Sequence, residues 1–97
     1  MDCCEKHKKE ARDEEMIKDL LNRLAKISGQ VNGVSNMLND NRYCYDILIQ
    51  IAAINSALKE VGYIILKDHM MSCVAEDIKN DDYSSLIDAL EISKKLK

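Results

Sequence analysis

Two side chains of the kinds that bind soft metals lie four positions apart in the second half of the chain. They are His69 and Cys73. If this stretch is helical, residues at i and i+4 share one face, so an imidazole and a thiolate lie one turn apart. Such a pair favours a soft metal ion, although a structural cysteine beside an incidental histidine has the same spacing.

A third ligand candidate, Cys44, lies 25 positions before His69 in the same predicted helix. At about 1.5 Å per residue the two are roughly 37 Å apart along a straight helix, so they cannot hold one ion within one chain. Two such helices packed antiparallel about a two-fold axis would bring Cys44 of one copy to the 69–73 region of the other. Small residues near the expected crossing favour this approach: Ala52, Ala53, Ser56, Ala57 and Gly62.

Two thiolates and one imidazole form a soft set of three ligands. Cu(I) accepts three-fold coordination by such ligands, whereas Zn(II) prefers a fourth. The ligand types therefore favour Cu(I), with Zn(II) as an open alternative.

The first residues contain a second group of potential ligands, Cys3, Cys4 and His7. Residues 1–12 are densely charged and have no apolar spacing, which is typical of a flexible tail ahead of a single helical domain at 13–97. The cluster is interpreted either as an accessory metal site or as incidental cysteines in a tail.

Apolar residues recur every three or four positions from Ile17 to Leu38, which predicts a first helix. Turn-forming residues follow at 39–41 and again at 80–82. Between these turns one long helix is predicted from about residue 42 to 79, with Gly62 as its weak point, and a short third helix contains Leu86 and Leu90. The long helix has one apolar rhythm: Ile47, Ile51, Ile54, Leu58, Val61 and Ile65. The prediction is an all-α protomer of three helices.

Length and composition limit the possible classes of protein. A chain of 97 residues makes one domain, and a long apolar helix in so small a protomer predicts an antiparallel dimer or a larger assembly. No signal peptide or membrane span is apparent, so we expect a cytoplasmic protein with reduced cysteines and no membrane partner. The net charge of −3 argues weakly against nucleic acid as a partner.

The stretch LNRLAKISGQVNGVSNMLNDNRYCYDILIQIAAINSALKEV, followed by LKDHMMSCV, resembles the CsoR/RcnR family of bacterial metal-sensing repressors. The resemblance covers residues 17–92 and implies a three-helix protomer that assembles as a dimer of dimers. Cys44, His69 and Cys73 together resemble the Cu(I)-sensing branch, in which the metal-free protein binds operator DNA and copper releases it. Nickel sensors of the family have further histidines, so Ni(II) is a second alternative ion.

The resemblance also implies residues around the metal and at the DNA. Tyr43 matches a tyrosine beside the first cysteine, but the position of an accompanying glutamate is Ala89, so Glu91 or Asp88 is expected to substitute. The absence of that glutamate puts the strength of the coupling between metal and DNA in question. The expected DNA-binding residues are Arg23, Lys26 and Lys59.

Two other functions remain open at this level, and a third is not expected. A persulfide or thiol-redox sensing repressor would use Cys44 and Cys73 but would not need His69. A helical metal-buffering protein would bind no DNA. A thiol enzyme would need an orienting acid and a substrate pocket that the sequence does not indicate, so we expect no enzyme.

Overall fold

The computed structural model describes residues 14–97, and these form helices joined by short turns. Helix α1 spans Glu14–Asn39, α2 spans Cys44–His69, a π-helical segment spans Met70–Val74, α3 spans Ala75–Lys79 and α4 spans Ser84–Lys95. Helix α2, the π segment and α3 form one continuous helix of 36 residues, Cys44–Lys79. The described chain contains no strand, so the predicted all-α protomer with one long central helix is confirmed.

Each of the two turns contains one residue in left-handed backbone shortly after the preceding helix ends. Asn41 has a φ of 53° and Asp81 a φ of 60°, which is left-handed backbone that Asn and Asp tolerate better than most residues. In the first turn the Arg42 N–H donates to the Met37 carbonyl at 2.9 Å, and the Asn41 N–H donates to that of Leu38 at 3.3 Å. These bonds satisfy carbonyl groups that would otherwise lack a partner, and they end α1 where the sequence predicts.

Residues 14–61 form one compact unit, a helical hairpin made of α1 and the first part of α2. Its buried side chains occur at intervals of seven residues in both helices, the spacing of a coiled-coil seam. They are Leu20 and Ile27 from α1, and Ile47, Ile54 and Val61 from α2. Ile51 and Leu58 belong to the same apolar pattern of the long helix but lie exposed. The pattern therefore includes both buried and exposed positions.

Residues 62–97 form the second compact unit. In it α4 packs against the π segment. The buried residues of the π segment are Cys73 and Val74, and those of α4 are Ser85 and Ala89. The candidate ligand Cys73 thus lies in the core of this unit rather than on its surface.

The long helix continues through Gly62 and departs from α geometry eight residues later, at Met70–Val74. A Cβ atom at Gly62 would lie 2.9 Å from Leu96 Cδ2. The glycine therefore gives Leu96 room to pack against the helix. The location of the predicted weak point was wrong: the irregular turn lies at Met70–Val74, directly after the candidate ligand His69, and contains the candidate ligand Cys73.

By length and composition alone, the helix Cys44–Lys79 could cross a membrane, which the sequence analysis did not anticipate. Core helices of soluble proteins pass the same test. Several of its large apolar side chains, among them Leu48, Ile51 and Leu58, are exposed in the single chain. Contiguous exposed apolar surface commonly marks an interaction site.

Candidate metal centre

His69 is the last residue of α2, and its imidazole is partly buried. Its Nδ1 atom is shielded from solvent and has no hydrogen-bond partner. Buried polar atoms without a partner are uncommon, because they have lost their hydrogen bonds to water and gained nothing in exchange. An imidazole nitrogen in this state has no protein group that competes with a metal ion for it.

Cys73, in the π segment, has 3% of its surface exposed and forms no disulfide. Ser72 Oγ lies 3.8 Å from Cys73 Sγ. The same hydroxyl donates to the Asp68 carbonyl at 2.7 Å. In a π turn the backbone bonds run from i to i+5, so the Ser72 hydroxyl gives the Asp68 carbonyl a second donor at i+4. This bond helps to hold the wider turn that separates His69 from Cys73.

Cys44 is the first residue of α2, is exposed, and belongs to the unit formed by residues 14–61. Within residues 14–97 of a single chain, no three His, Cys, Asp or Glu side chains converge on a point that could hold a metal ion. His69 and Cys73 therefore provide at most part of a metal site in one protomer.

The residues expected beside the metal differ in accessibility. Tyr43 has 72% of its surface exposed, and its ring lies 6.4 Å from that of Tyr45. Glu91 is exposed on α4. Ala89 is 4% exposed, so the face of α4 that packs on the π segment has a methyl group at this position. The assignment of Tyr43 and Glu91 to the metal site stays a prediction.

The residues expected at the DNA, Arg23, Lys26 and Lys59, are all exposed. Arg23 forms an i, i+4 ion pair with Asp19 on α1, in which Arg23 Nε donates to Asp19 Oδ2 at 3.2 Å. The accessory cluster Cys3, Cys4 and His7 lies outside the described residues.

Sequence analysis missed two polar residues of the second unit. Asp77 is 8% exposed and Ser85 is 7% exposed. The Ser85 hydroxyl is buried without a hydrogen-bond partner. Asp77 lies four residues after Cys73, a spacing that placed it on the ligand face from the outset. For Ser85 the sequence has no signal, since a serine near a helix N-terminus is usually exposed.

The fold and the candidate ligands together are those of a small, all-helical metal-sensing protein. The sequence matches the family of metal-sensitive transcriptional repressors over residues 16–95, and the chain belongs to that family. Its members repress transcription, so the protein is a DNA-associated regulator and not an enzyme.

Comparison with individual proteins agrees with this assignment. The copper-sensing transcriptional repressor CsoR of Bacillus subtilis (strain 168) is 46% identical over 77 residues, which are 78% of this chain and 76% of that protein. A crystal structure of the copper-sensing repressor CsoR with Cu(I) from Geobacillus thermodenitrificans NG80-2 matches with a TM-score of 0.80 and 42% identity, over 89% of this chain and 91% of that one.

A structure of the nickel-responsive transcriptional regulator InrS also matches, with a TM-score of 0.70 and 31% identity, over 91% of this chain and 98% of that one. The fold therefore serves more than one metal. The choice of ion depends on the ligands that each chain contributes.

Proposed function

We propose that this protein is a Cu(I)-responsive transcriptional repressor that binds operator DNA without metal and releases it when Cu(I) binds. The observation that supports this most directly is the pair at the end of α2: the buried His69 Nδ1 without a partner and, one turn on, the buried Cys73 thiol. The similarity to repressors named as copper-sensing supports the choice of ion.

The third ligand in this proposal is Cys44 of a second copy. In an α-helix the 25 residues from 44 to 69 make about seven turns, so the two positions lie on one face of α2. An antiparallel partner helix packed on that face brings each Cys44 to the His69 and Cys73 of the other copy. The dimer then holds two identical sites.

The ligands fit Cu(I) chemically. Two thiolates and one neutral imidazole satisfy a soft monovalent ion with three ligands, whereas Zn(II) would need a fourth and Ni(II) favours additional nitrogen or oxygen ligands. The bound ion would supply charge and a fixed junction between the two chains. Cys44 and Cys73 must lose their protons to bind it, so binding releases protons to solvent.

The release of DNA by Cu(I) follows from linkage between the metal site and the DNA site. If Cu(I) binds more tightly to a form of the assembly that fits DNA poorly, metal lowers the affinity for DNA and DNA lowers the affinity for metal by the same factor. We assign the protein to the cytoplasm, with operator DNA and further copies of the chain as partners in a dimer and a homotetramer.

A complementation experiment tests the site shared between chains. Cys44→Ala and Cys73→Ala chains are co-expressed with different tags, and the mixed dimer is purified and titrated anaerobically with Cu(I). The mixed dimer has one intact site and should bind one Cu(I) with the affinity of the wild-type protein. Each variant alone should lose that affinity. A mixed dimer no better than its parents would contradict the shared site.

A gel-shift experiment tests the regulatory role. DNA from the promoter of the protein's own gene should be shifted by metal-free protein and released by Cu(I), with Zn(II) and Ni(II) as comparisons. His69→Ala should abolish release by Cu(I). Release of that variant by a persulfide donor would favour thiol sensing instead, and no shift at low salt would favour a metal-buffering protein.

A further inference from the structure

The π segment is where the helix Cys44–Lys79 departs from α geometry; it follows His69 and contains Cys73. The Ala75 N–H closes this wide turn by donating to the Met70 carbonyl, five residues back. Turns of this kind are rare within α-helices and occur frequently at functional sites. Compared with a regular α-helix, the turn rotates Cys73 about the helix axis relative to His69. Its shape therefore sets how the thiol and the imidazole face each other.

The hydroxyl of Ser72 connects the backbone beside one candidate ligand to the other. Ser72 directly precedes Cys73, and its Oγ donates to the Asp68 carbonyl at 2.7 Å. That carbonyl belongs to the peptide group that joins Asp68 to His69. The same Oγ lies 3.8 Å from Cys73 Sγ. A hydroxyl has one proton, which the nearer acceptor, the carbonyl, receives, so the oxygen bonds to one ligand's backbone while it lies against the other ligand's sulfur.

The length of this hydrogen bond distinguishes it from its counterpart in an ordinary α-helical turn. On α1 the Ser35 hydroxyl also faces the carbonyl four residues back, that of Val31, but at 3.5 Å. An O–H···O hydrogen bond is normally about 2.5–3.0 Å long, so the Ser72 bond falls within this range and the Ser35 contact falls beyond it. Both serines are exposed, so burial does not explain the difference. The short bond accompanies the π turn.

The two sides of the π turn are held by different contacts. Helix α4 packs against the buried side, where Cys73 and Val74 are 3% and 1% exposed. Ser72 lies on the exposed side together with Met71, and its hydroxyl bonds the backbone there. The Ser72 bond therefore supports the side of the turn that α4 does not cover.

We infer that Ser72 is a positioning residue of the metal site: its hydroxyl holds the π turn and so sets the Cys73 thiol relative to the His69 imidazole. Ser72 acts through these two side chains and is not itself a ligand. When ligands are already placed as an ion requires, less binding free energy is lost in ordering them, so the ion binds more tightly. This inference rests on the proposed function, because it concerns the affinity of that site for Cu(I).

The first test compares Ser72→Ala with Ser35→Ala, which removes the matching hydroxyl from an α turn. Cu(I) affinity is measured anaerobically by competition with bicinchoninate. We expect Ser72→Ala to weaken binding by about tenfold, the effect typical of a residue that orients a metal ligand. Ser35→Ala should bind as the wild type does. Ser72→Thr keeps the hydroxyl and should keep the affinity, whereas Ser72→Val, of nearly the same shape, should bind as weakly as Ser72→Ala.

A second readout uses the metal-free protein and separates positioning from a merely structural role. Hydrogen exchange of the Ala75 amide, which closes the π turn, is followed by NMR. Exchange at Ala75 should become about fivefold faster in Ser72→Ala and Ser72→Val, the effect of losing one hydrogen bond, and should stay unchanged in Ser72→Thr. The amides of α1 and α4 should keep their wild-type rates. A merely structural role would instead accelerate exchange throughout residues 62–97.

Unchanged Cu(I) affinity in Ser72→Ala and Ser72→Val would overturn the inference, as would weaker binding without faster exchange at Ala75. Failure of the wild-type protein to bind Cu(I) at all would instead overturn the proposed function. The two failures are therefore distinguishable.

Discussion

Arg23, one of the residues predicted to bind DNA, is paired with a neighbouring carboxylate. Its guanidinium lies 3.2 Å from the Asp19 carboxylate, and both side chains are substantially exposed, at 44% and 61%. An exposed pair of this kind adds little stability, but the carboxylate competes with a DNA phosphate for the same donor. If Arg23 contacts a phosphate as predicted, Asp19 lowers the affinity for DNA without touching the DNA itself.

We predict that Asp19→Asn strengthens operator binding by about twofold for each protomer at the DNA, the energy of an i, i+4 pair. The slope of log affinity against log salt should steepen by about 0.9 for each new phosphate contact. Fluorescence anisotropy at several salt concentrations measures both quantities.

The control for this prediction is the same substitution in an Arg23→Ala background. There Asp19→Asn should have little effect, because the guanidinium it competes for is absent. An equal gain in both backgrounds would mean that Asp19 acts only through its general negative charge.

At the scale of elements, the turns between helices depend on one residue each in left-handed backbone. Asn41, with a φ of 53°, ends α1, and the Arg42 N–H bonds back to the Met37 carbonyl. Glycine adopts this backbone without steric cost, whereas a β-branched residue does not.

We predict that Asn41→Gly raises the free energy of unfolding by up to about 1 kcal/mol and that Asn41→Val lowers it by about 1–2 kcal/mol. Asn39→Gly, two positions earlier at the last residue of α1, should instead lower it by a few tenths of a kcal/mol, about 0.3 kcal/mol, because glycine has a lower helix propensity than asparagine. Urea denaturation at one fixed protomer concentration measures all three. A destabilised Asn41→Gly would contradict the helix end described above.

The glycines of the helices differ in their surroundings. A Cβ at Gly29 would meet no atom within 4 Å, whereas one at Gly62 would meet Leu96 Cδ2 at 2.9 Å. The gain in helix propensity from alanine is therefore available at the first position and opposed by a displaced leucine at the second.

We expect Gly29→Ala to raise the free energy of unfolding by about 0.5–1 kcal/mol and Gly62→Ala to show a smaller gain or a loss. Leu96→Ala should reduce the difference between the two, since it removes the displaced side chain. The measurement is denaturant titration of six proteins, the wild type and Leu96→Ala, each alone and with either glycine substitution. An equal gain at both glycines in the wild-type background would show that Leu96 does not pack on α2.

At the scale of the whole molecule, the exposed apolar surface of α2 calls for a partner. Leu48, Ile51 and Leu58 are 61%, 39% and 45% exposed in the protomer. The same surface makes the helix apolar enough to resemble a membrane span. In the proposed dimer this apolar surface packs against the same surface of the second copy, and the packing aligns the metal ligands.

We predict that Leu58→Glu, close to the proposed crossing point, weakens the dimer by about a hundredfold or more, because a carboxylate would be buried without a partner. Cu(I) affinity should fall with it, since Cys44 would no longer meet His69 and Cys73. Sedimentation equilibrium and Cu(I) competition measure the two effects.

Lys59→Glu is the matched control, with the same new side chain one position along on another face of the helix. It should leave the assembly and the Cu(I) affinity intact while weakening binding to DNA. An intact dimer in Leu58→Glu would place the interface elsewhere.

Much of this protein could be predicted from local sequence. The helices and their ends follow from apolar periodicity and from the Asn and Asp residues at 39–41 and 80–82, because these signals act over a few residues. The candidate ligands Cys44, His69 and Cys73 were identified by their side-chain chemistry. Their spacing alone indicated that one chain could not bring all three together.

Other features depend on contacts between distant parts of the chain. Residues 47, 54 and 61 of the long helix are buried, and residues 51 and 58 are exposed, yet both rows are apolar with the same period, so sequence could not choose between them. The π turn at Met70–Val74 and the buried hydroxyl of Ser85 likewise accompany the packing of α4. Local patterns determine which residues form helices, but only packing decides which face is covered and which polar atoms lose contact with water.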